Sequence, residues 1–145
     1  MLSTILAPEK ITFTEAQRLT DGKLLQPLWL PSEGLVLVDV VIYRSGVSPN
    51  ELFATTLKYR ESSTNWVVVT QFYGKLIRRG IPTNTRQATI RGYPAVFITE
   101  LIPSNVRPDG VLRVTSCAWD ALFSVELLGA DLSYEQLTRV VESLV

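Results

Sequence analysis

The chain has 145 residues, 46% of them apolar and 19% charged, with fourteen basic and fourteen acidic side chains. That is the length of one ordinary domain, long enough to bury a core without disulfides or metals. The cancelled charge argues against wholesale binding to nucleic acid or to an anionic membrane surface. There is no histidine and a single cysteine, Cys117. Ser-His-Asp and Cys-His nucleophile systems, His-based zinc sites, multi-cysteine metal sites and an intramolecular disulfide are thereby excluded within this chain.

From the N-terminus, MLSTILAPEK lacks the basic lead and the apolar length of a signal peptide. Residues 1–13 read as an arm, and residues 14–145 as the α+β core of a single domain. Thr14-Glu15-Ala16-Gln17 has capping-box spacing, and Thr20-Asp21-Gly22 stops the short helix that this predicts. In the PLWLP segment, residues 27–31, the prolines hold the chain extended and make Trp29 the tryptophan expected to be partly exposed.

LVLVDVVIYR, residues 35–44, is rich in β-branched residues and apolar on both alternating faces, which predicts a central strand. This longest apolar stretch is broken by Asp39 and falls far short of the ~20 residues of a membrane helix. Residues 51–60 alternate, with Phe53, Leu57 and Tyr59 against Thr56 and Lys58, and NWVVVTQFYG (65–74) follows a polar hairpin loop. GKLIRRGIPTNTR (74–86) is a long polar loop of the kind that often carries function.

Residues 89–101 predict a hairpin pivoting on Gly92, and 111–119 with 122–129 a last strand pair. The C-terminal helix is the best specified element. Ser133 and Gln136 have capping-box spacing, and Leu132 and Leu137 staple spacing. Leu137, Val140, Val141 and Leu144 form one apolar stripe, and Glu135 can pair with Arg139. A helix of this length is marginal alone and must dock that stripe. The expected fold is α+β: a mainly antiparallel sheet of about six or seven strands, with both helices on one face.

Three stretches resemble a known family: residues 15–43, with a short helix, a Leu-Pro-x-x-Gly turn and a β-branched strand; TIRGYPAVF (89–97); and residues 118–144, with a tryptophan strand, an apolar strand and a Glu-Ser-Leu helix. The family is a bacterial domain of unknown function. It is found at the C-terminal ends of anti-sigma-factor-like and lipoprotein-carrier-like proteins outside the cytoplasmic membrane. The resemblance implies an extracytoplasmic sensor or protein-binding domain of a longer or processed protein, with a cytoplasmic setting as the alternative. It implies no catalytic residue. Where the family commonly has a glycine turn after the tryptophan, Asp120-Ala121 follow Trp119 here.

Chemistry-bearing residues are few. No P-loop or GxGxxG follows a strand. Cys117, between Ser116 and Ala118, reads as a small packed side chain. Asp39, Glu100, Asp120 and Glu126 offer carboxylates, but no spacing pairs them for acid–base work. Asp39 marks either where the sheet meets water or a bond to a neighbouring loop. The charge is uneven: between Glu61 and Glu100 there is no acid, while Lys75, Arg78, Arg79, Arg86 and Arg91 are basic, leaving nine basic against fourteen acidic residues elsewhere. These five are the candidate surface for an anionic partner, set against a solvated loop. The expectation is a non-enzymatic interaction or sensor domain without cofactor, metal or nucleic acid, binding a protein segment or small ligand through sheet edges and loops. The alternative is a lipid or lipoprotein carrier-like domain with an apolar cavity.

Overall fold

The computed structural model describes residues 7–48, 51–73, 85–105 and 108–145. Eight strands and two helices follow in the order β1 (Glu9–Ile11), α1 (Phe13–Leu19), β2 (Val36–Arg44), β3 (Leu52–Ser62), β4 (Asn65–Phe72), β5 (Thr85–Ile90), β6 (Tyr93–Pro103), β7 (Val111–Asp120), β8 (Ser124–Ala130) and α2 (Tyr134–Glu142). The strands make one antiparallel sheet ordered β1-β2-β3-β4-β8-β7-β6-β5. The chain is therefore α+β, built from two four-stranded meanders whose last strands, β4 and β8, meet in the middle.

Eight strands replace the six or seven expected. The extra one is β1, three residues of the N-terminal arm paired with Val40–Ile42, too short for any periodicity to reveal. Strand β2 is accordingly next to the edge and not central. Its first half lies beyond the end of β1, and Val36 and Val38 are 56% and 50% exposed. The centre belongs to β4 and β8, where Val67, Val69, Val125 and Leu127 are buried.

Alternate residues of the strands form the main core. Across the ladder, Val40, Leu57, Val69, Leu127, Cys117 and Phe97 fall in one row, and all belong to one buried cluster. Ala16 of α1 and Leu137, Val140 and Val141 of α2 belong to the same cluster, together with Leu144. Here Cys117 is buried, as its neighbours implied. Gly129 lies where β8 meets Leu132: a Cβ there would come within 2.4 Å of Leu132 Cδ1, so a larger residue would have to push the Leu132 side chain aside.

Both ends of α2 are tied down. Ser133 Oγ accepts from the Gln136 amide at 3.1 Å, and Gln136 Oε1 accepts from the Ser133 amide at 2.9 Å, completing the capping box. At the other end, the amides of Leu28 and Trp29 donate to Ser143 Oγ at 3.2 and 3.1 Å. Gln26 and Val145 exchange two backbone bonds of 3.0 and 3.1 Å. The expected Glu135 partner is displaced: the Arg139 guanidinium lies 4.1 Å from the centre of the Trp29 ring. For α1 the cap is Thr12, two residues before the predicted Thr14, with its hydroxyl accepting from the Glu15 amide at 3.1 Å. The predicted stop holds, with Asp21 and Gly22 both at positive φ. Gln71, 1% exposed on β4, is buried because both ends of its amide are engaged: Nε2 donates to the Lys23 carbonyl at 2.9 Å and Oε1 accepts from the Leu25 amide at 2.8 Å.

Candidate functional site

The opposite face of the sheet differs from the core side. Its residues include Lys58, Val68, Leu128, Ser116, Ile98 and Thr85, which fall in one row and are each half-exposed or exposed. At the β2–β3–β4 end this face holds a groove of about 370 Å³ lined by side chains that include Val38, Asp39, Lys58, Arg60, Trp66 and Val68.

Two breaks in strand register build this groove. Between β2 and β3 the pairing jumps from Leu37↔Tyr59 to Asp39↔Lys58, leaving Val38 as an extra residue. Between β3 and β4 it jumps from Arg60↔Trp66 to Ser62↔Asn65, leaving Glu61 extra. An uninterrupted hairpin closing at Ser62↔Asn65 would set Glu61 opposite Trp66; the irregularity sets Arg60 there instead. Bulges of this kind re-aim side chains and are common beside functional sites. Glu61 is not idle. It accepts from Ser32 Oγ at 2.9 Å and from the Asn65 side-chain amide, and it packs so closely on Gly34 that a Cβ at that position would clash with its carboxylate. The Leu-Pro-x-x-Gly turn is thus pinned to the β3–β4 hairpin.

The charges in the groove are unbalanced. Asp39 pairs with Lys10 of β1 at 3.5 Å. Lys58, opposite Asp39 in the register and half-buried, makes no ion pair or side-chain hydrogen bond among the described residues, and neither does Arg60. Of the charged side chains that line the groove, Lys58 and Arg60 are positive and Asp39 is negative, which leaves it cationic. Trp66 is also unengaged on its polar side. Its ring packs against the small cluster of Leu112, Val114 and Ala130, yet its indole N–H has no acceptor and its ring no aromatic or cationic partner among the described residues. The other two tryptophans are occupied. Trp119 donates to the Ile90 carbonyl at 3.0 Å and has Arg91 over its ring at 5.7 Å, while Trp29 lies under Arg139 and is half-buried.

Of the basic residues singled out in the sequence, Lys75, Arg78 and Arg79 lie outside the described residues. Arg86 sits 3.7 Å from the centre of the Tyr134 ring, and that ring packs on Phe97 with centroids 4.4 Å apart. Arg91 donates to the Leu144 carbonyl at 2.6 Å. The two arginines therefore grip opposite ends of the C-terminal helical segment. None of the four carboxylates faces another across the ladder, although Asp120 and Glu126 are diagonal neighbours: Asp39 faces Lys58, Glu100 faces Val114, Asp120 faces Ser124 and Glu126 faces Ala118. Among the described residues no group of three acids or cysteines could hold a metal ion, and no helix is long and apolar enough to cross a membrane.

No protein-family model, curated protein or solved structure matches the chain.

The sequence places Lys58 in an alternating strand and Trp66 among aromatics that suit cross-strand packing or, less often, ligand stacking, and does not join the two. Their parity along β3 and β4 is legible; the one-residue shift at Glu61 that brings Arg60 beside Trp66 is not.

Proposed function

We propose that the protein is a non-enzymatic binding domain, whose helices cover one face of the sheet and whose other face, at the β2–β4 end, receives a small ligand or a short segment of a partner. What carries this reading is the groove itself: half-exposed valines and a tryptophan beside two cations without partners among the described residues. Ligand sites commonly combine an apolar floor with a few convergent polar groups, and a volume of about 370 Å³ lies within the range of small-molecule pockets. The absence of histidine, and four carboxylates of which none faces another across the ladder, support a role in recognition over reaction. An extracytoplasmic sensor setting rests on the resemblance of residues 15–43, 89–97 and 118–144. The carrier alternative draws no support from the core side, where Leu57, Leu127 and Leu137 fill the described interior.

The test is amide and methyl chemical-shift mapping with a mixture of small amphipathic compounds of positive, neutral and negative charge. Shifts gathered on Val38, Val68, Leu128 and Ile98 are expected. Shifts confined to the core side, or none at millimolar concentration, overturn the reading.

A further inference from the structure

The geometry points to the groove of β2, β3 and β4 as a site for an aromatic carboxylate: a flat apolar body laid along Trp66 and Val68, with its anionic head between Lys58 and Arg60. This rests on the binding face proposed above and narrows it to one place and one chemistry.

The argument starts from the cations. Lys58 and Arg60 are two apart on β3, so they project from the same face with backbones about 7 Å apart. A carboxylate can bridge groups at that spacing, and the guanidinium fork of Arg60 matches it in shape. Asp39, the acid that lines the groove opposite Lys58, is shared with Lys10, and Lys58 and Arg60 leave the lining with an excess of one positive charge. The other strand acids of this face, Glu126 on β8, Asp120 on β7 and Glu100 on β6, stand on strands beyond β4.

Trp66 sets the body of the ligand. Its ring packs on Leu112, Val114 and Ala130, and the residue stays half-exposed. Trp29 and Trp119 have arginines above their rings. Trp66 does not, although Arg60 is directly opposite it in the register. A ligand ring can cover its free surface, with Val38 and Val68 completing an apolar seat. The two register breaks set this arrangement, because Val38 and Glu61 are each the odd residue of a pair of strands.

The test titrates the intact chain with 1-naphthoate, comparing 1-naphthalenemethanol for the neutral body and acetate for the head alone, by calorimetry and by the indole N–H resonances. The expected result is that naphthoate moves the Trp66 indole signal and leaves those of Trp29 and Trp119 in place. It should bind at least tenfold tighter than the neutral alcohol, with acetate too weak to measure. Lys58→Gln and Arg60→Gln should each weaken naphthoate roughly tenfold, the loss of one charged hydrogen bond. The remote Lys23→Gln should change nothing. Both groove positions are on the surface, so thermal midpoints should stay level. Equal affinity for acid and alcohol, or indifference to both groove substitutions, overturns the proposal. Naphthoate shifts elsewhere on the same face, around Leu128 and Ile98, overturn the groove and leave the binding face standing. Silence across the whole face removes both.

Discussion

The two sides of this sheet use the same residue types to different ends. On the core side arginine and aromatic rings close on each other: Arg86 on Tyr134, Arg91 on Trp119 and Arg139 on Trp29. On the far side Lys58, Arg60 and Trp66 share one groove and make no such contacts among the described residues. Cation and ring in contact already satisfy one another, so the first set acts as fastening for the C-terminal helix. The second set keeps its charge and ring surface available. A basic residue is therefore a weak sign of a binding surface until its own neighbours are known.

Substitutions on the two sides should differ in what they cost. The largest effect is expected from Leu137→Ala, which empties a fully buried position under α2; urea unfolding should show a loss of about 2–5 kcal/mol. A loss near zero would mean the helix is not a fastening. Gly129→Ala should cost about 1–3 kcal/mol by overpacking, since its new methyl meets Leu132 at 2.4 Å. Ser133→Ala removes the cap and should cost about 1 kcal/mol in the same assay. Arg86→Gln should cost about 0.5–1 kcal/mol through its stacked ring, whereas Arg60→Gln should stay within about 0.5 kcal/mol. Equal costs for these two arginines would erase the difference between the faces.

The smallest effect is one of alkaline pH. Burial pushes the phenols of Tyr59 and Tyr73 above the usual tyrosine value, for Tyr73 against a hydrogen bond to Thr55 that acts the other way. A raised folded-state value contributes stability that is complete below the unfolded value of about 10 and is lost as pH climbs through the folded values. Urea unfolding at pH 8 and pH 11 should therefore give the lower stability at pH 11. A flat profile would mean that these rings ionise as freely folded as unfolded.

The sequence disclosed most where local chemistry decides the outcome. The Ser133–Gln136 cap, the stripe of Leu137, Val140 and Val141 and the hairpin turning at Gly92 follow from spacing alone. It disclosed least where pairing between strands decides. Strand β1 has three residues and no pattern of its own, and it exists because Val40–Ile42 offer it an edge. The extra residue at Val38 reverses the alternation within β2, so Leu37 and Val40 share a face although they are an odd number of positions apart. In α1 two threonines two residues apart both suit a cap, and Thr12 takes the role. The groove depends on the shift at Glu61, which a count of hydrophobic periodicity does not contain.

The bulge at Val38 also bears on solubility. Beyond the end of β1, the outer rim of β2 runs through Val36, Leu37 and Val38 with no neighbouring strand among the described residues. A straight apolar rim of that kind invites a second molecule to extend the ladder and seed aggregates. An odd residue in its middle spoils the template, so the kink that shapes the groove also guards the rim against runaway self-association.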